Sequence, residues 1–178
     1  WFYQLLEKES AQAIAVAHHA DDNIETLLMN LVRGSGLKGL TGMPVRNEKV
    51  VRPLLCSTRL EIESYLSENK LDYVTDSTNA SLDYQRNKFR NAVIPLLEEI
   101  NPSVRQTLYA SLERFSDSFA IYESAIEAIK AKIIVEEQNL FKVNIALLKQ
   151  QVGIATILYE TLNQYGFNAP TVEQIIQN

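Results

Sequence analysis

Residues 11–43 restrict the possible folds of this chain more than any other stretch. Ala11 to Ala17 is a short apolar run without polar alternation, the pattern of a strand covered on both faces in a parallel sheet. The run ends in His18, His19, Asp21 and Asp22, and a helical periodicity takes over: Ile24, Leu27, Leu28, Leu31 and Val32 fall at i, i+3, i+4, i+7 and i+8. Asp22 and Glu25 have the spacing of a capping box, and their carboxylates suit the positive end of a helix dipole. Two imidazoles and three carboxylates thus follow the carboxyl end of a strand, where open α/β sheets bind their ligands. Capping alone accounts for Asp22 or Glu25 taken singly, but it does not require the histidines.

Zinc is disfavoured there. His18 and His19 are adjacent, so on an extended chain their side chains point to opposite faces. The single cysteine, Cys56, cannot supply a CxxC site. A hard cation held in part by Asp21 or Asp22 stays open, since magnesium needs few protein ligands when phosphates supply the rest.

Elsewhere the pattern alternates helices with turns. Trp1 to Lys8 reads as a helix tail, and glycines at 34, 36, 39 and 42 follow the first full helix, Gly34 suiting a left-handed close. Val50 to Leu55 is a strand candidate ended or edged by Pro53. Thr58 and Glu61 form a second capping-box spacing for a helix to about Asn69, and Arg59 in its first turn requires an acidic or phosphate partner. Tyr73 and Val74 make a short extended piece.

Asp76 to Arg90 is the second chemical centre. Asp76, Ser77, Thr78 and Asn79 are turn residues, whereas Arg86 and Arg90 are four apart on a helix and share a face able to grip one phosphate or carboxylate. A solvated charged face is the alternative. Pro95 predicts a kink, Asn101-Pro102 a break, and Ser103 the start of a helix of about thirty residues. Leu140 to Ile145 reads as a strand, Val152 to Tyr165 as a helix closed by Gly166, and Pro170 to Ile176 as another helix.

HHADDNIET, RGSGLKGLTGM, VVRPLL, DSTN and RNKFRNAVIPLL, in that order between Ile14 and Pro102, resemble the tRNA(Ile)-lysidine synthetase family. That family is a branch of the N-type ATP pyrophosphatases, or PP-loop enzymes. The resemblance implies an α/β fold: a partial adenine-nucleotide α-hydrolase-like (Rossmann-like) parallel-sheet domain over 1–102, then a small, mostly helical linker and substrate-binding domain over 103–178, incomplete at its end. The family opens with a Ser-Gly-Gly-x-Asp-Ser loop that holds ATP phosphates, and this sequence has none. The chain is therefore expected to be part of a longer protein and inactive alone.

The implied reaction has two steps. ATP, with Mg²⁺, adenylates the C2 oxygen of the wobble cytidine in a tRNA(Ile) with a CAU anticodon, and free L-lysine then displaces AMP to give lysidine. By the same resemblance His18, Asp22, Arg86 and Arg90 are the catalytic candidates, and Asp21, Glu25 and Asn87 contact substrate. Arg33, Gly34 and Gly36 border the nucleotide. No metal ligand is assigned.

The net charge of −5 is unusual for a protein that handles tRNA, yet residues 33–105 carry eleven Lys or Arg against nine Asp or Glu. No apolar run reaches the ~20 residues of a membrane span, and one cysteine in 178 residues points to the cytoplasm. Homodimerisation is left open. The rival readings are another PP-loop tRNA-modifying enzyme, such as a 2-thiocytidine synthetase with cysteine motifs absent here, and a non-catalytic helical tRNA-binding module.

Overall fold

The computed structural model describes residues 1–74, 85–137 and 140–177. Its contacts divide the chain into two units, Trp1–Phe119 and Ala120–Asn178. The residues expected to form the DSTN turn lie outside the described residues.

The first unit opens with α1 (Phe2–Lys8), which buries Leu6, and β1 (Ile14–Ala15). After them come α2 (Ala20–Val32), α3 (Leu37–Leu40), β2 (Arg46–Asn47) and β3 (Val50–Val51). The sheet order is β1-β3-β2, with β1 parallel and β2 antiparallel to β3. The Val16 N–H donates to the Val51 carbonyl at 3.0 Å and extends the parallel ladder.

The strand expected over Ala11–Ala17, covered on both faces, is corrected here. Only two of its residues are strand, and Ala15 and Ala17 are exposed while Ile14 and Val16 are half-buried. Alanine counts as apolar but has little area to bury, so it masked a period-two alternation. The strand expected over Val50–Leu55 also shortens. Pro53 has no N–H for the ladder, and Pro53–Cys56 forms a 3₁₀ turn instead.

α4 (Arg59–Glu68) starts at the expected cap: the Thr58 N–H donates to Glu61 Oε2 at 2.7 Å and the Glu61 N–H to Thr58 Oγ1 at 3.2 Å. Further on, α5 (Gln85–Lys88) passes through a π turn at Phe89–Val93 into α6 (Ile94–Ile100). Pro95 cannot make the bond to the carbonyl four residues back and crowds it, and the wider turn absorbs that conflict where a kink was expected.

Helix α7 (Val104–Ile133), 30 residues long, crosses from the first unit into the second. In the first unit, Ile24, Leu27 and Leu28 of α2 pack with Ile94 and Leu112. The rest of the expected α2 face is not core: Leu31 is 59% and Val32 75% exposed. Gly34, at φ +76, turns the chain away after Arg33, leaving the last turn of α2 uncovered by described residues.

The second unit pairs β4 (Ile134–Glu137) with β5 (Leu140–Val143) in an antiparallel hairpin, then adds α8 (Ile145–Leu148), α9 (Ile154–Leu162) and α10 (Ala169–Gln177). α9 begins at Ile154 and not at Val152, because Gly153 precedes it in a left-handed conformation. A 3₁₀ turn then runs to Tyr165, and Gly166 at φ +87 closes it. Ile126, Ile133, Leu148, Ile157, Leu158 and Val172 form the core. Among the described residues no helix is long and apolar enough to cross a membrane.

Candidate active site at the start of α2

The chain leaves β1 through His18 and His19. His19 keeps an extended backbone (φ −122°, ψ 179°) and caps α2, and the Ala20 N–H is tied to the Ser57 carbonyl at 2.9 Å. Asp22 Oδ2 accepts the His19 N–H at 3.0 Å. The cap pair is thus His19 with Asp22, and not Asp22 with Glu25 as the spacing suggested. The tie to Ser57 starts the helix one turn earlier, which frees the Glu25 carboxylate for other partners.

Those partners are arginines. Glu25 is only 1% exposed, and Arg90 holds it at both oxygens, Nε to Oε1 at 2.6 Å and Nη2 to Oε2 at 3.1 Å. The same Nη2 donates to Asp22 Oδ1 at 2.9 Å. One turn earlier Arg86 donates to Thr26 Oγ1 at 2.8 Å, with its Nε 3.6 Å from Glu25 Oε2 and its Nη1 4.0 Å from Asp22 Oδ1. The shared face read from the i, i+4 spacing is there, and what it grips is a pair of carboxylates.

Asp21 turns the other way. Its Oδ2 accepts the Arg59 N–H at 2.8 Å and its Oδ1 accepts Arg105 Nη1 at 2.7 Å, while Arg105 Nε binds Glu98 at 2.6 Å. Arg59 has its expected acidic partner in Glu63, at 2.7 Å. Burial works against the charge of Arg105, but Glu98 and Asp21 outweigh it and hold its pKa above the ordinary arginine range. The bond to Glu25 does the same for Arg90. His18 moves down: burial disfavours its charged form, Asp22 opposes this, and Arg52, Arg86 and His19 reinforce it. His18 Nδ1, His19 Nδ1 and Arg52 Nε are buried without a hydrogen-bond partner among the described residues.

Asp21 thus faces Arg59 and Arg105, while His18, Asp22, Glu25, Arg86 and Arg90 come together. Asn87 is buried beside them in sequence and has interactions of its own. Arg33, Gly34 and Gly36 do not join them: they follow the far end of α2, about 17 Å along its axis from Asp22, where Arg33 donates to Gln85 at 2.8 Å. A cavity of about 790 Å³, lined in part by Met43, Leu55, Tyr109 and Leu112, shares Asn23 with α2 but none of the charged cluster.

Arg105 and Arg52 were not singled out from the sequence. Arg105 carried the same signal as Arg59, a cation in the first turn of a helix, where the dipole disfavours it. Arg52 directly follows a strand parallel to β1, a position that shows only once the pairing is known. Among the described residues no group of three His, Cys, Asp or Glu side chains is arranged to hold a metal ion.

A parallel strand pair whose carboxyl edge meets a charged helix start is the arrangement of α/β domains that bind their ligands at that edge. The PP-loop domain profile matches residues 1–97, and the chain belongs to the PP-loop family. A second profile, the TilS substrate binding domain, matches residues 136–178.

Curated relatives extend the similarity. The tRNA(Ile)-lysidine synthase of Parabacteroides distasonis is 46% identical over 167 residues, covering 94% of this chain and 37% of the relative. Those of Bacteroides thetaiotaomicron and Porphyromonas gingivalis are 43% and 40% identical, each covering 98% of this chain and 40% and 38% of the relative. The chain spans less than half the length of these relatives.

Proposed function

We propose that this chain is part of an ATP-dependent tRNA(Ile)-lysidine synthetase, a cytoplasmic ligase that joins free L-lysine to C2 of the wobble cytidine of a CAU-anticodon tRNA(Ile) through an adenylated intermediate. The observation that carries this reading is the pairing, in one chain, of a PP-loop domain with a TilS substrate binding domain. Either alone would be less specific.

In this reading Asp22 binds the lysine ammonium or takes its proton, an amine of pKa ~10 being almost fully protonated at neutral pH. Asp21 and Glu25 add negative potential, and His18 contacts Asp22 or phosphate. Arg86, with a side chain 35% exposed, is the better placed of the two α5–π-turn arginines to meet the adenylate, while Arg90 orients Asp22 and Glu25. An unpartnered buried N–H at Arg52 suits a phosphate-bearing ligand. The described carboxylates do not form a magnesium cage, and Mg²⁺ would arrive on the ATP phosphates.

The test is lysidine formation, together with lysine-dependent ATP–pyrophosphate exchange, on a tRNA(Ile) CAU transcript by the full-length protein and its D22N variant. The parent should be active and D22N should lose about a hundredfold or more. A D22N variant at the parent's rate would overturn the assignment of Asp22. A parent that makes no lysidine would overturn the reading in favour of another PP-loop tRNA modifier.

A further inference from the structure

β1 and β3 run parallel with Ile14 opposite Val50 and Ala15 opposite Val51. Their carboxyl ends therefore open side by side, Arg52 directly after Val51 and His18 three residues after Ala15. The neighbouring arginines all meet acids: Arg90 at Glu25 and Asp22, Arg105 at Asp21 and Glu98, Arg86 near Glu25. Arg52 does not. Its Nη1 donates to a neutral acceptor, the Pro44 carbonyl, at 2.8 Å, and its Nε is buried with no acceptor among the described residues. His18 Nδ1 is a second buried atom in the same condition. The register sets Arg52 and His18 at adjacent strand ends, and Arg86 reaches Asp22 and Glu25 on the helix that starts just after His18.

A guanidinium N–H withdrawn from water without an acceptor destabilises the fold, and an anion presented to it recovers that loss. We propose that Arg52, with His18 and Arg86, forms an oxyanion pocket at the carboxyl edge of β1 and β3. The planar guanidinium fork suits a phosphate or a carboxylate. This assignment rests on the proposed ligase reading, in which ATP brings the one and free lysine the other.

The pocket is tested on the 178-residue chain itself, labelled at its two histidines, by NMR titration with inorganic pyrophosphate and, separately, with L-lysine against L-lysinamide. One anion should move the His18 imidazole resonances: pyrophosphate if the source is phosphate, lysine but not lysinamide if it is a carboxylate. R52Q should weaken that binding by about tenfold or more, and R52K, which keeps charge but not the fork, should recover only part of it. Equal affinity in R52Q overturns the proposal. So does a wild-type His18 that responds to neither anion, a result that stands even if R52Q does not fold. Lysidine formation is not read here, so a failed lysidine assay would remove the functional reading and leave this binding result standing.

Discussion

Replacing Glu25 by alanine should destabilise the first unit far more than a surface carboxylate would. The side chain is 1% exposed and takes both arms of Arg90, at 2.6 and 3.1 Å. Its loss leaves Arg90 with Asp22 alone and Arg86 with Thr26 and the more distant Asp22. Removing one partner of a buried pair costs ~3–5 kcal/mol, because the other charge stays buried. Arg90 keeps a 20% exposed side chain and a second carboxylate, so the low end applies, about 3 kcal/mol. At this size that lowers the melting temperature by about 10 °C. Scanning calorimetry with urea unfolding measures it. The double variant E25L/R90M should regain at least half of the loss, since neither charge is then left unpaired. A loss in E25A under about 1 kcal/mol, or a double variant no more stable than E25A, would refute the reasoning.

Three further outcomes are expected. Gly42→Ala should cost about 2 kcal/mol in urea unfolding, because Gly42 has φ +71 and its added methyl would meet the Asn23 side chain and Leu112 Cδ2, the latter at 2.8 Å. His18 has a folded-state pKa below its ordinary 6.5, so the unfolded chain takes up a proton that the folded chain resists. Its contribution should therefore lower stability as pH falls through about 6.5 and level off below the folded pKa, and melting curves of H18Q should show a shallower acid slope than the parent. Tyr122, half-buried and bonded to Glu160 at 3.0 Å, has its pKa raised to about 12. Y122F should lose about 1 kcal/mol at neutral pH, and the gap between the two proteins should narrow as pH rises above about 10, where the unfolded tyrosine ionises first.

The sequence was most readable where a signal is local. The α2 periodicity, the Thr58–Glu61 cap, the long α7 and the left-handed Gly34 and Gly166 depend on residues within a few positions of one another. β1 was misread because its alanines hid an alternation, and β2, β4 and α8 were missed because each is four residues or fewer. In the site, the same-face geometry of Arg86 and Arg90 was legible, but their acceptors stand some sixty positions away. The Asp21–Arg105 bond spans 84 positions. Only the pairing of β3 with β1 and the packing on α2 bring such groups together.

The π turn at Phe89–Val93 means that one residue in this helical run is surplus to the α-helical count. A substitution there leaves the count unchanged. Deleting a single residue would convert the run to continuous α-helix and rotate everything before it by about 100° relative to α6. With Ile94 kept in the core, Arg86 would swing away from Glu25 while the chemistry of every remaining side chain stayed the same. In this segment the number of residues sets the geometry of the site as much as their identity does.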